Sequence, residues 1–205
     1  DALPIWNKIK AGSETKWLTV PLRSGRAEKR IEEVEIDYGQ PWQKKHLGAL
    51  QEYYAKAPYY SAYIDDFAAI LHTGFRTLSE LNISLFQWVM DILLIETELV
   101  MSRDIGVSDA SKVERPLLIL EKMEATEYVL GAIAKPYTDE EAFRKAGIAL
   151  EYKSYDYSSY PQLGESFIGE VSILDLIFNM GNESRGFLKS TSSNCSANSS
   201  AEEQD

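Results

Sequence analysis

The stretch YKSYDYSSYPQLGESFIGEVSILDLIFNMG, residues 152–181, decides the fold of this chain. It begins as a strand, breaks into an aromatic loop around Tyr160 and Gln162, and continues as an apolar helix that ends near Gly181. Apolar residues in that helix recur at spacings of three and four, the period of one buried helical face. Loops that follow strands often carry ligand-binding residues, so Tyr160 and Gln162 are candidates for a site. The alternative, that these side chains pack with half-covered rings and solvated hydroxyls, stays open.

Strands and helices alternate upstream of this stretch. Residues 97–101 are rich in strand formers, a helix follows from Pro116, and residues 127–131 and 148–153 are predicted as further strands with a second helix between them. Strand, helix, strand, helix, strand is the order of a parallel sheet with right-handed crossovers. The sequence therefore predicts an α/β fold with a Rossmann-like, mostly parallel sheet.

Three successive amphipathic helices fill residues 41–94. Pro58 separates the first helix from the second, and Thr77 with Glu80 forms the capping-box pattern that opens the third. Three helices in a row exceed a simple crossover between strands. Residues 41–94 are therefore predicted to be an inserted helical subdomain.

The two ends of the chain differ from its centre. Extended runs on either side of Gly12 and Ser13 predict a strand pair joined by a turn. Residues 190–205 contain almost no apolar side chain and cannot repay their ordering entropy, so they are predicted to be a disordered tail. The sequence thus predicts a single α/β domain over residues 1–189, followed by this tail.

The composition is that of an acidic chain with few metal-binding side chains. A formal net charge of -11 over 205 residues argues against nucleic acid as a partner, since nucleic acid attracts Lys and Arg. A single cysteine, Cys195, and two distant histidines, His46 and His72, argue against disulfides and a zinc site. There is no secretory signal and no apolar run of the roughly twenty residues needed for membrane insertion. The sequence predicts a reduced, cytoplasmic protein.

One set of polar residues follows the predicted strand at 97–101. Arg103 and Asp104 come directly after it, and Glu114 and Arg115 precede the next helix. Ligands in open α/β sheets bind beyond the carboxyl ends of strands, where an arginine can hold a carboxylate or phosphate through two parallel bonds. The alternative is that these residues form loop ion pairs, and the spacing does not decide between the two.

Two further sets are weaker candidates. Residues 131–137, GAIAKPY, offer Lys135 as a charge for an anion, but they lack the ending of a phosphate-binding P-loop and could be a plain connection. His46 could serve as an acid or base near neutral pH, or it could be a core-edge histidine with one nitrogen satisfied. No motif identifies a cofactor, which stays unassigned.

The order of several segments resembles the WbqC-like protein family over residues 6–181. The segments are WNKIK…KWLTVPL, IEEVEID…PWQKKHLGALQEYYAKAPYY, LSELNISL, SRDIG…VER and YPQL…FIGEVSILDLIFNMG. The resemblance implies a bacterial protein encoded among genes for O-antigen and other surface polysaccharides. It also implies transfer of an amino-acid group, such as glycine, onto a sugar.

The chain departs from the family pattern at several places, one of which is Pro116, which replaces an apolar residue of a helix. The family's first strand and its Gln-Pro and Gly-Tyr-Phe segments are missing, so the chain is expected to be an N-terminally incomplete and divergent member. The family's Ser-Gly-Pro-x-Gly loop is here LGAIA, with one glycine retained at Gly131, and Gly164 replaces a histidine. A sheet edge exposed by the missing strand would favour a homo-oligomer.

The resemblance implies one pocket shared by the matching polar residues. Arg103 and Arg115 would hold an anionic substrate, and Glu114 or His46 would act as the catalytic base. The full set of predicted substrate-binding residues is Arg103, Asp104, Arg115, Tyr137, Tyr160 and Gln162.

Three function classes follow from the sequence. The first is a glycyl or aminoacyl transferase of surface-polysaccharide assembly with a small-molecule or activated-sugar substrate. The second is a nucleotide-binding or nucleotidyl-transfer enzyme, against which the missing glycine fingerprint counts. The third is a non-catalytic, truncated or degenerate relative of the family.

Overall fold

The computed structural model describes residues 7–23, 30–107, 114–155, 158–188 and 190–194. The chain divides into two compact units. Unit 1 comprises Asp1–Glu96 and Tyr157–Leu188, and unit 2 comprises Thr97–Asp156 and Lys189–Asp205. The predicted single domain over residues 1–189 stays a prediction.

Unit 1 begins with a short hairpin. Strands β1 (Lys8–Ala11) and β2 (Glu14–Trp17) pair in antiparallel register. Gly12 lies between them with a φ of 70°, a left-handed value that glycine adopts without strain. The predicted strand pair with its turn at Gly12 and Ser13 is therefore confirmed.

Four helices form the body of unit 1. They are α1 (Trp42–Tyr54), α2 (Tyr60–His72), α3 (Leu78–Ile92) and, much later in the chain, α7 (Ile173–Met180). The predicted capping box opens α3, because the Thr77 hydroxyl accepts from the Glu80 amide at 3.3 Å and the Glu80 carboxylate accepts from the Thr77 amide at 2.9 Å. The three predicted helices of residues 41–94 are all present.

Helix α7 lies in the core of unit 1. It is buried at nearly every position, and its start and end are tied to other elements. The Ser172 amide donates to the Lys8 carbonyl at 2.7 Å, and the Phe178 carbonyl accepts from the Tyr59 amide at 2.9 Å. Because the helix is apolar on almost every side, burial against β1, α1 and α2 is what stabilises it.

Unit 2 contains a three-stranded sheet with short helices. The helices are α4 (Ser102–Ile105), α5 (Arg115–Lys122) and α6 (Glu140–Lys145), and the strands are β3 (Glu127–Gly131), β4 (Ala149–Tyr155) and β5 (Ser190–Asn194). Strand β4 is central, parallel to β3 and antiparallel to β5. Its Leu150 and Tyr152 pack with Phe143 and Ile148 in a small separate core.

The fold is mixed α/β, as the sequence predicts, but three details differ. Residues 97–101 form no strand; strand-forming side chains without a neighbouring strand to pair with do not make one. Only one of the two pairings in the β3-β4-β5 sheet is parallel, so the sheet is not mostly parallel. Residues 190–194, at the start of the predicted disordered tail, pair with β4 through their backbone. Residues 195–205, including Cys195, lie outside the described residues.

Candidate functional site

A single carboxylate interrupts the apolar helix α7. Asp175 is 0% exposed, and its two oxygens accept hydrogen bonds from side chains of α1, α7 and the 160–162 loop. Tyr54 donates to Oδ2 at 2.8 Å, while Tyr160 and Gln162 donate to Oδ1 at 2.9 and 2.8 Å. Asn179, one turn further along α7, donates to Oδ1 at 3.3 Å. We call these five residues the Asp175 cluster.

Gln162 fixes the loop that follows it. Its Nε2 donates to the Ile168 carbonyl at 3.0 Å, and its Oε1 accepts from the Ile168 amide at 2.9 Å. The same Nε2 lies 3.1 Å from the Tyr160 hydroxyl. The amide side chain therefore closes residues 162–168 into a loop and holds that loop against α7.

Lys10 also binds this loop. Lys10 is only 4% exposed. Its Nζ donates to the Leu163 carbonyl at 2.7 Å and to the Ser166 carbonyl. Its backbone amide donates to the Tyr54 hydroxyl at 2.9 Å. Lys10 thus joins β1 to the Asp175 cluster and brings a positive charge beside the buried carboxylate.

Burial sets the protonation of these groups. It raises the pKa of Asp175, against the opposing effect of the Tyr54, Tyr160 and Gln162 hydrogen bonds and of the Lys10 charge. Burial, together with the neighbouring carboxylate, also raises the pKa of Tyr54 and Tyr160. Both tyrosines are therefore neutral hydrogen-bond donors at physiological pH.

A cavity of about 350 Å³ lies beside the cluster, within unit 1. Its size is at the small end of the roughly 300–1,000 Å³ typical of ligand sites. Its walls come from the β1–β2 turn, the end of α1, the loop after Gln162 and α7. The lining residues are Lys10, Gly12, Glu52, Tyr53, Tyr54, Ala55, Lys56, Leu163, Gly164 and Asp175.

Three of the predicted site residues belong to unit 1. The structure brings Tyr160 and Gln162 together on Asp175, as described above. His46 is 7% exposed, its Nε2 lies 3.1 Å from the Thr19 carbonyl, and its ring packs edge-on against Trp42. Burial lowers the pKa of His46, so the ring is neutral at pH 7. This geometry fits a core-edge histidine, and a role as a base stays a prediction.

The other five predicted residues belong to unit 2. Arg103 and Asp104 lie in α4 as a mostly exposed pair, with Nε and Oδ1 3.8 Å apart. Glu114 directly precedes α5, whose first residue is Arg115, and makes no side-chain capping bond. Tyr137 ends a 3₁₀ helix and is 84% exposed. That these residues share one crevice with Tyr160 and Gln162 stays a prediction.

Sequence reasoning did not find three central members of the site. They are Asp175, Tyr54 and Lys10. A lone carboxylate inside the apolar run ILDLIF was the available signal for Asp175, because an unpaired charge in a core is costly and implies partners. Lys10 and Tyr54 lie far from Asp175 in sequence, and nothing in their local patterns marks them.

The described part of the chain contains neither a metal-binding cluster nor a membrane-spanning helix. There, no group of three or more His, Cys, Asp or Glu side chains is placed to hold a metal ion. None of the described helices is long and apolar enough to cross a membrane.

Comparison with known proteins identifies similar sequences. The sequence profile of the WbqC-like protein family matches residues 4–186. The uncharacterized protein Rv1507c of Mycobacterium tuberculosis is 38% identical over 186 residues, which cover 89% of this chain and 80% of that protein. No solved structure matches the chain significantly. The matched region includes the Asp175 cluster, the cavity and every site residue predicted from the sequence.

Proposed function

Because the chain belongs to the WbqC-like protein family, we propose that it is a group transferase of cell-surface polysaccharide (O-antigen) biosynthesis. The transferred group is a glycyl or other aminoacyl group, and the acceptor is an activated sugar. The observation that carries this proposal is the cavity of unit 1, which places a nearly buried lysine beside a hydrogen-bonded carboxylate cluster.

Lys10 is the residue best suited to acyl-transfer chemistry. When an acyl group moves, negative charge develops on its carbonyl oxygen, and a preorganised cation in a water-poor site stabilises that charge. Two N–H bonds of the Lys10 ammonium go to the Leu163 and Ser166 carbonyls, which fixes its position. The third N–H bond has no acceptor among the described residues and can therefore serve a ligand.

The acceptor hydroxyl or amine must lose a proton during transfer. Glu114 and His46 are the proposed bases. In His46 the nitrogen bound to the Thr19 carbonyl must carry the proton, since a carbonyl only accepts, and Nδ1 therefore holds the lone pair. Its lowered pKa leaves this lone pair unprotonated at pH 7.

The residues of unit 2 complete the proposal. Arg103 and Arg115 would bind an anionic part of the activated sugar, with Asp104 and Tyr137 orienting it. Replacing Arg115 with Ala would then weaken sugar-nucleotide binding without changing binding of the aminoacyl donor. We also propose that the protein is cytoplasmic and that the chain self-associates. The parallel β3–β4 pair is proposed to be the part of the sheet that is Rossmann-like.

A non-catalytic ligand-binding relative is the second candidate. The observation in its favour is that the Asp175 carboxylate is inaccessible to solvent and already accepts bonds from Tyr54, Tyr160 and Gln162. Such a group stabilises a loop without touching a substrate. The nucleotide-binding alternative gains no support from Gly131, whose extended backbone (φ -69°, ψ 143°) leads directly into a 3₁₀ helix.

A transfer assay distinguishes these candidates. The purified chain is incubated with labelled aminoacyl donors and a panel of nucleotide sugars, and the products are identified by mass spectrometry. Lys10→Met is expected to lower the rate of aminoacyl transfer by about 100-fold, which is the loss typical of removing one hydrogen-bond donor to an oxyanion. Lys122→Met is the matched control, because its ammonium also binds two carbonyls, those of Ile105 at 2.9 Å and Gly106 at 3.1 Å, but in unit 2.

Two results would overturn the proposal. One is a folded wild-type chain that transfers no aminoacyl group to any sugar, which favours the non-catalytic relative. The other is a Lys10→Met chain that keeps its fold by circular dichroism and transfers at the wild-type rate.

A further inference from the structure

The cavity of unit 1 is lined by ionisable groups of both signs. Lys10 and Lys56 bring two positive charges, and Glu52 and Asp175 bring two negative ones. With these groups ionised the lining is electrically balanced, although the whole chain carries a formal charge of -11. An anion such as phosphate would meet the Glu52 carboxylate there, with the buried Asp175 behind the wall, and a cation would meet two ammonium groups. The lining therefore favours a small ligand that carries both charges itself.

The two exposed charges both come from the C-terminal end of α1. Glu52 is in the last turn of α1. Lys56 comes four residues after Glu52, just past the end of the helix. Such a pair often forms a surface ion pair. Among the described contacts, however, these two make no ion pair within 4.0 Å, and the Glu52 carboxylate lies near enough to the Tyr53 hydroxyl to raise the pKa of that hydroxyl. Both charges are thus available at the cavity.

The two remaining charges are buried. Lys10 is 4% exposed and Asp175 is 0% exposed, so Lys10 is the cation that a ligand meets away from solvent, and Asp175 contributes charge behind the wall. An interaction with Lys10 is screened less by water than one with Lys56. A ligand carboxylate is consequently best placed at Lys10, and a ligand ammonium at Glu52.

We propose that this cavity binds a small free α-amino acid as its zwitterion. The α-carboxylate lies at Lys10, the α-ammonium at Glu52, and Lys56 supports the carboxylate from the exposed side. The glycine backbones at Gly12 and Gly164 leave room for the ligand, since neither position has a side chain at the lining. This inference rests on the proposed function in one respect, because the amino-acid part of the aminoacyl donor would occupy the same site.

The test is a titration of the ¹⁵N-labelled chain with glycine and L-alanine, followed by NMR at the amides of Gly12 and Gly164. Both amino acids are expected to cause saturable shifts at these amides. Propionate, ethylamine and inorganic phosphate, which each carry charge of one sign, are expected to bind at least about tenfold more weakly, since each lacks one charged contact.

Matched variants locate the ligand. Glu52→Gln and Lys56→Gln are expected to weaken L-alanine binding by about tenfold, and both positions are exposed, so the fold should be kept. Glu141→Gln and Lys145→Gln are the controls, because these two also have the i,i+4 spacing, at a distance of 2.8 Å, but lie on α6 of unit 2. They are expected to leave binding unchanged.

The outcomes separate this inference from the proposed function. Propionate or phosphate binding as tightly as L-alanine would overturn it in favour of an anion site, and so would the absence of any shift with either amino acid. If the chain transfers an aminoacyl group but does not bind the free amino acid, the inference fails and the function stands. If it binds L-alanine through Glu52 and Lys56 but transfers nothing, the inference stands and the function fails.

Discussion

The Tyr54 hydroxyl donates a 2.8 Å hydrogen bond to Oδ2 of Asp175, 121 residues further along the chain. The same hydroxyl oxygen accepts from the Lys10 amide at 2.9 Å. One side chain thus connects α1, α7 and β1 through a single oxygen atom. Because all three groups are buried, removing that oxygen leaves a donor and an acceptor without a partner and without access to water.

Replacing Tyr54 with Phe removes the connecting oxygen and keeps the ring. We expect the free energy of unfolding to fall by about 1–3 kcal/mol, the cost of leaving buried polar groups unsatisfied. Urea denaturation followed by circular dichroism measures it. Tyr38→Phe is the matched control, because its hydroxyl also makes a 2.8 Å bond, to the Phe75 carbonyl, but at a 41% exposed site. Equal losses in the two variants would contradict the structural role of the Tyr54 bond.

The pH dependence of stability reports on Asp175. Burial raises its pKa in the folded state, so the folded chain holds this proton more tightly than the unfolded chain does. The stabilising contribution is therefore present below the unfolded pKa of about 3.9 and is lost as the pH rises through the folded value. We expect the stability advantage of wild type over Asp175→Asn to shrink between pH 4 and pH 7 in urea denaturation. If this stability advantage grew with pH instead, the hydrogen bonds to Asp175 would lower its pKa by more than burial raises it.

His46 is expected to give the opposite dependence. Burial lowers its pKa in the folded state, so the unfolded chain takes up a proton first as the pH falls. Its contribution to stability is present above the unfolded pKa of about 6.5 and is lost as the pH falls toward the folded value. His46→Gln should therefore flatten the loss of stability between pH 7 and pH 5. A slope that is unchanged in His46→Gln would contradict the assignment to His46.

Local patterns in the sequence were enough to predict most helices. The capping box at Thr77 and the apolar spacing before Gly181 both correspond to helix boundaries in the structure, because these signals act within a few residues. The sheet was less predictable. Residues 97–101 have strand-forming side chains but no paired strand in the described part of the chain, and the pairing of residues 190–194 with β4 has no counterpart in their local sequence pattern.

The candidate site shows the same limit. Tyr160 and Gln162 could be identified from the sequence because they form an unusual loop before an apolar helix. Their acceptor, Asp175, could only be suspected as a charge in a core helix. Lys10 and Tyr54 are brought to it by the packing of β1 and α1 on α7, and that packing is a property of the whole unit.

Two glycine-to-alanine changes test the packing of the helices. Gly181, at the end of α7, has a φ of 53°, and an added Cβ would lie 2.5 Å from the Tyr59 ring. Gly181→Ala is therefore expected to lower the free energy of unfolding by about 1–3 kcal/mol through overpacking. Gly48, inside α1, has no atom within 4 Å of such a Cβ, so Gly48→Ala should stabilise the chain by about 0.5–1 kcal/mol. Urea denaturation measures both changes. A stable Gly181→Ala variant would mean that Tyr59 does not pack over the end of α7.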